Sequence, residues 1–230
     1  MPEAVAGLHR LRARDSRRVR WRNDGGWTTE IARGRVDASS AHDDDFDWRL
    51  SIADIESDGP FSPFPGMDRD LVLIAGTGIE LDIDEAAPLR LDRRFQQVRF
   101  AGEQRVNCRL LAGPTRDFNV IVRRGALVAE TVARPLTGSM LLFPRAGTTW
   151  FAHVLAGTAS ARADSGSIEA ECGDTLVIGA DTGHRVVLDG AGEIVLVRLA
   201  DANPRALRLQ EPASAVPLSA LGVVQPEHHG

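Results

Sequence analysis

Short apolar or alternating runs fill this chain, nearly every one closed by glycine or proline, and apolar repeats at helical spacing are scarce. A period of two puts successive side chains on opposite faces of a strand, so this rhythm favours sheet over helix throughout. The runs predict strands at 49–55, 71–75, 79–83, 97–100, 107–111 and 118–123. Further runs predict them at 127–132, 140–143, 149–155, 158–163, 168–172, 175–178, 185–188 and 194–199. Gly113-Pro114, Gly157, Gly173, Gly183 and Gly190 mark junctions between them. A chain of 230 residues built this way is expected to be an all-β sandwich or barrel.

A weak internal repeat divides it. LVLIAGTGIEL (71–81) and AHVLAGTASAR (152–162) share an apolar run, Ala-Gly-Thr and a second run. Each reads as a hairpin turning at its glycine, where the missing Cβ makes a tight turn cheap. GDTLVIGADTGHRVVL (173–188) follows the second copy in an order familiar from cupin jelly rolls. The expected fold is therefore a bicupin, two cupin-like jelly-roll halves packed as one unit. Its first half is 1–125, its second 126–200, and 201–230, with four prolines, is an extended tail.

Composition removes several classes of function. Net charge is −5, which leaves no electrostatic footprint for nucleic acid. All 27 basic residues are arginine, so neither Schiff-base chemistry nor a lysine-bearing phosphate loop is available. Cys108 and Cys172 lie far apart and outside any metal or redox spacing, as expected of reduced core thiols. No apolar stretch reaches the ~18 residues of a membrane span. The basic segment HRLRARDSRRVRWR lacks the apolar centre of a secretory signal and is expected to be a solvated arm. These features point to a soluble, cytoplasmic protein with no membrane partner.

Six histidines offer little for a metal: no HxH occurs, and none lies between His42 and His153. His153 and His184 alone occupy cupin-like positions, short of the three or four ligands a site needs. No metal or cofactor is expected; these two are read as hydrogen-bonded walls of an emptied pocket, and His228-His229 as an incidental tail pair. There is no GxSxG elbow for a nucleophile. The acidic run TGIELDIDEAAP (77–88) alternates like a solvated strand face.

Two segments remain. In VRWRNDGGWTTEI (19–31), Asn23 to Gly26 is a turn flanked by Trp21 and Trp27 and followed by an alternating strand. It reads either as a hairpin with core tryptophans or as a nest of backbone N–H groups capped by aromatics. In DWRLSIADIESDGPFSPFPGMDRDL (47–71), Arg49 is in phase with Ser51, Ala53 and Ile55, and Arg69 follows a Pro-Gly turn. Arginine binds a carboxylate through two parallel hydrogen bonds, which suits recognition of a small acid. The alternative for each is an internal ion pair with Asp54, Asp58, Asp68 or Asp70.

The motifs WRNDGGWTTEI, DWRLSIADIESDGPFSPFPGMDRDLVLIAGTGIEL and LLAGPTRDFNVIVRRG, in this order, resemble the HutD/Ves family. The resemblance implies a compact bicupin without an obligatory metal, associated with bacterial histidine utilisation. It also implies a non-enzymatic modulator that binds a small acid resembling N-formylglutamate, formate or urocanate. Carried onto this chain, the family's ligand-binding positions fall on Trp21, Asn23, Gly25, Gly26, Thr28, Arg49 and Ser51. Asp58, Phe61, Phe64, Asp68 and Arg69 complete them. Arg22 and Asp24 stand where the family usually has lysine and glycine. Arg69 and Arg49 are expected to clamp the anion, the Asn23–Gly26 turn to donate hydrogen bonds, and Trp21, Phe61 and Phe64 to wall the pocket. The alternative is a metal-free cupin enzyme with Asp68 or Glu30 as general base; a homodimer is a further possibility.

Overall fold

The computed structural model describes residues 7–36 and 46–202 and the backbone of 208–210. The first half contains strands β1 (Leu8–Leu11), β2 (Arg17–Arg20), β3 (Gly26–Arg35), β4 (Trp48–Ile55), β5 (Gly59–Pro60) and β6 (Met67–Ala75). It continues with β7 (Ile79–Ile83), β8 (Leu89–Leu91), β9 (Gln97–Ala101), β10 (Val106–Leu110) and β11 (Thr115–Arg123). Then follow β12 (Leu127–Thr137), β13 (Met140–Leu142), β14 (Thr148–Ala163), β15 (Gly166–Glu171), β16 (Thr175–Ile178), β17 (Val186–Asp201) and β18 (Arg208–Gln210). Two 3-10 turns are the sole helical elements among the described residues, so the molecule is all-β as expected. His42, the His228-His229 pair and most of the proline-rich tail lie outside the described residues.

Three sheets build two halves. In the first, β18-β3-β4-β11-β6-β9, with β2 on β3, faces a smaller sheet, β5-β10-β7-β8. In the second, β1-β16-β14-β17-β12 carries β13 on β17 and β15 on β14. The first strand thus crosses to the far half, where Leu8 is fully buried. The basic arm is not simply solvated: its apolar start is an edge strand, and Arg17–Arg20 pair with β3.

Alternation in the larger first-half sheet separates two cores. Trp48, Leu50, Val72, Ile74, Phe118, Val120 and Val122 point to the second half, meeting Phe151, Val177, Val195, Val197 and Leu199. The opposite face sends Ala53, Ile55, Leu71 and Leu73 into the first half's own interior, against Ile79, Leu81, Val106 and Cys108. This sheet is therefore covered on both sides, which explains runs such as 71–75 that are apolar without alternation. Asp70 reinforces the seam between halves, accepting hydrogen bonds from Arg99 on β9 and, at 2.9 Å, from Thr131 on β12.

The repeated Ala-Gly-Thr is a shared corner, and it is not a hairpin turn in either copy. At Gly76 the chain leaves one sheet, through β6, and enters the other, through β7. At Gly157 it continues inside the sixteen-residue strand β14, where the register with β17 shifts between Val154 and Ala156. Gly157 faces Gly192 across that pair. A Cβ on Gly157 would lie 2.0 Å from the Ala191 oxygen, and one on Gly192 1.9 Å from the Ala156 oxygen. Two expected strands thus merge into β14 and two into β17, and the bent sheet closes over its own apolar interior.

Candidate functional site

Adjacent strands bring two arginines into one row. Ile121 on β11 is the cross-strand neighbour of Arg49 on β4 and of Arg69 on β6, and Phe100 on β9 extends the row beyond Arg69. One step along, Asn119 lies between Ser51 and Leu71; one further, Asp117 lies between Ala53 and Leu73. All share the face that lines the first half's interior, as the phase of Arg49 with Ser51, Ala53 and Ile55 predicts.

The loop SDGPFSPFPG supplies the aromatic wall. Its backbone is tied to the β9–β10 turn: Phe61 N–H donates to the Val106 oxygen at 2.9 Å and Phe64 N–H to the Gly102 oxygen at 2.7 Å. Glycine is required at 102 by this close approach, since a Cβ there would lie 2.3 Å from the Phe64 oxygen. So held, Phe64 is shared by the two cations, with its ring centre 5.1 Å from the Arg49 guanidinium carbon and 5.4 Å from that of Arg69. Phe46 also flanks Arg49, and Phe61 and Phe100 flank Arg69. Such contacts stabilise a desolvated cation by about 0.5–2 kcal/mol each, well short of the cost of removing it from water.

The hydrogen-bond partners of Arg69 are neutral. Its guanidinium donates to Asn119 Oδ1 at 2.9 Å and to the Ser62 carbonyl at 3.3 Å. The Nε atoms of both Arg49 and Arg69 are buried with no hydrogen-bond partner among the described residues. Arg69 is only 6% exposed. Burial pulls its pKa down to about 10, with Asp117 acting the other way and Arg49 adding to the fall. Burial also lowers that of Arg49, opposed by Glu30 and assisted by Arg33. The carboxylate of this interior is Asp117, fully buried, with Oδ1 taking a hydrogen bond from the Asn119 amide and Oδ2 without a partner among the described residues. Desolvation pushes its pKa up to about 7, against the pull of Arg69 and of that hydrogen bond, with Asp54 adding to the rise. Cys108 opposite stays a thiol, pushed up to about 12 by burial first and then by Asp117 and Asp58.

Several expected site residues meet here and others do not. Arg49, Arg69, Ser51, Phe61 and Phe64 converge, with Trp21 packed against the same interior and donating through its indole N–H to Thr28 Oγ1 at 2.8 Å. Asn23, Gly25 and Gly26 instead complete their own turn. The Asn23 side chain accepts from Gly25 N–H, Asp24 N–H donates to the Trp21 oxygen, and Gly26 lies so near β4 that a Cβ would be 2.2 Å from the Asp54 oxygen. These donors are already used and the glycines serve strand contact, so this turn is a hairpin, with Trp27 facing outward under Arg18 and Arg20. Asp24 adopts the left-handed conformation glycine favours (φ 56°) and turns its carboxylate outward to Arg20.

Asp68 is not beside the clamp. It sits on the opposite face of β6 from Arg69 and pairs with Arg124 at 2.7 Å; Asp70, on that face too, pairs with Arg99. Neither neutralises Arg69, and Asp68 is in no position to act as its general base. Asp58 is spent on the Leu110 N–H. Asp117, Asn119 and Phe100 line the same interior and are not singled out by the sequence, although the alternation in Asp117-Phe118-Asn119 puts both polar groups on one face.

The histidines serve elsewhere. His153 is buried at the seam, with Nδ1 2.8 Å from Thr175 Oγ1 and its ring against Phe118, and His184 is exposed. They share no pocket wall, because β14 turns His153 away from the second half's interior and Ala152 and Val154 into it. Among the described residues no group of three or more His, Cys, Asp or Glu could hold a metal ion, and no helix is long and apolar enough to cross a membrane.

Residues 13–196 match the HutD family model. The chain belongs to the HutD family. It is 46% identical over 117 residues to an uncharacterised 21.2 kDa protein in the hutC 3′ region of Pseudomonas putida, a match covering 51% of the chain. That match spans 59% of the relative's own length. The structure of HutD from Pseudomonas fluorescens SBW25 in a formate condition is 31% identical, with a TM-score of 0.71, covering 84% of this chain and 98% of that one. A deletion mutant of Bacillus subtilis oxalate decarboxylase, 8% identical with a TM-score of 0.58 over 89% of this chain and 79% of that one, shares the cupin fold alone. The HutD family's homologues are tied to the histidine-utilisation operon.

Proposed function

We propose that this HutD-family chain binds a small carboxylate inside its first half and acts as a sensor or buffer of that acid in histidine utilisation, without turning it over. One observation carries the reading: the guanidiniums of buried Arg69 and half-buried Arg49 stack on one phenylalanine, and among the described residues no carboxylate is hydrogen-bonded to either. A desolvated cation with no carboxylate in hydrogen-bond contact is costly, and two of like sign add repulsion. A small acid would relieve both, accepting from the two unpartnered Nε–H groups while Phe61 and Phe64 exclude water and strengthen the pairing.

Calorimetric titration with formate, urocanate, N-formylglutamate and glutamate tests this. Saturable binding of at least one is expected, weakened roughly 30–100-fold in Arg69→Ala, the size of a lost charge-assisted hydrogen bond. Undiminished binding in Arg69→Ala, or no binding of any acid, would sink the proposal.

A further inference from the structure

Asp117 is the member of the arginine cluster that simple anion binding leaves unused. It is fully buried, and one oxygen is fixed by the Asn119 amide while Oδ2 has no partner among the described residues. The same Asn119 accepts from Arg69 through its own oxygen, so one amide spaces the carboxyl group from the guanidinium. Native proteins rarely leave a buried polar atom unpaired, and an exception inside a charged cluster points to a ligand. The surrounding elements offer it little else: Arg69 on β6, Asp54 on β4 with its carboxylate turned outward to Arg18 and Arg116, and the Cys108 thiol on β10.

A carboxylate oxygen in this place would repel an anion held by the arginines, whereas a carboxylic acid would offer it an O–H donor. We propose that Asp117 is a further ligand-contacting group: as the neutral acid it donates from Oδ2 to an anion held by Arg69, so that a carboxylate binds together with one proton. This rests on the carboxylate-binding reading and adds to it the protonation state of the complex. The proton comes from solvent. An anion on Arg69 cancels the field that helps Asp117 ionise, which raises the proton affinity of Asp117 on binding. The balance already lies near neutrality, at about 7, so the coupling falls in an accessible range. Affinity is then expected to fall as pH rises above neutral, roughly tenfold per pH unit once Asp117 is ionised in the free protein.

Calorimetry of the full chain with sodium formate and sodium acetate, in phosphate and in Tris at pH 6 and pH 8.5, counts the protons. The apparent enthalpy at pH 8.5 should differ between buffers by close to one proton's ionisation heat, and at pH 6 by little. Asp117→Asn keeps an N–H donor and removes the titration, so it should bind with one affinity at both pH values and no proton uptake. Wild-type binding without proton uptake at pH 8.5 would overturn the inference and leave the carboxylate site standing. So would a folded Asp117→Asn protein that retains the wild-type pH dependence or binds neither acid at either pH. Should Asp117→Asn fail to fold, the buffer dependence of the unaltered chain decides alone. Failure of the unaltered chain to bind any carboxylate at either pH would sink both readings.

Discussion

The interior of the second half is closed by Leu136, Leu142, Ala161, Leu176, Leu188 and Leu196, with Leu8 contributed from the start of the chain. The matching interior of the first half holds Arg49, Arg69, Asp117 and Asn119 among Phe61, Phe64 and Phe100. Both are enclosed by bent antiparallel sheets with a glycine at the repeated corner. They differ in what burial achieves: in the second half it removes apolar surface from water, and in the first it also desolvates charge. One interior is apolar throughout, and the other gives some stability up to keep arginine and aspartate side chains out of water.

The sharpest way to break this contrast is to truncate one residue in each interior. Leu176→Ala should lose about 3 kcal/mol in denaturant unfolding, the usual range for a cavity left by a fully buried leucine. Arg69→Met should leave stability unchanged or raise it by about 1 kcal/mol, while abolishing any stabilisation by added carboxylate. Equal destabilisation by the two changes would mean that the arginine is structural.

The corner offers a second test, smaller in scale. Gly192→Ala places a Cβ 1.9 Å from a backbone oxygen at φ 152° and should cost roughly 2–3 kcal/mol. Gly138→Ala, with nothing within 4 Å and φ 86°, should cost about 1 kcal/mol. If the two were equally mild, the corner would not be needed to close the second half.

A third test is a difference in the sign of pH dependence. His153 at the seam has its pKa lowered from 6.5 to about 4, chiefly by burial, with Asp174 opposing. Folding then excludes a proton that the unfolded chain takes up. Its stabilising effect is complete above pH 6.5 and is lost as pH falls toward 4, about 1 kcal/mol at pH 5.5. Asp117 is shifted upward from 3.8 to about 7, so its effect has the opposite sign: stability is highest below pH 3.8 and declines as pH rises through 7. Between pH 5 and 6.5 the two slopes oppose each other, so in unfolding curves His153→Gln should make stability fall with rising pH, and Asp117→Asn should make it rise up to about pH 6.5 and then level off. The reverse pattern would put the buried charge in the wrong half.

Legibility followed how local each cause is. The phase of Arg49 with Ser51 and Ala53 is a property of one strand, and the face it assigns is the face observed. The placement of Asp68 depends on the same alternation, because a residue next to Arg69 on a strand must point the other way; motif membership hid what the period already said. The Asn23–Gly26 nest failed for a different reason. The turn spends its donors on itself, Gly25 N–H on the Asn23 side chain and Asp24 N–H on the Trp21 oxygen, and residue type alone does not say whether it will. The alternating Asp117-Phe118-Asn119 was readable as one polar and one apolar face, but nothing local identifies the polar face as the one beneath two arginines.

What the sequence alone determined is the all-β class, the family, and the pairing of a rigid aromatic loop with two arginines. These rest on periodicity, turn chemistry and ordered motifs, each set by neighbours within about a dozen residues. Tertiary structure alone decided that the repeated glycine is a sheet corner, that β1 closes the opposite half, and that Asp117 shares an amide with Arg69. Each of these joins residues from separate strands, and strand pairing is set by the summed burial of whole faces.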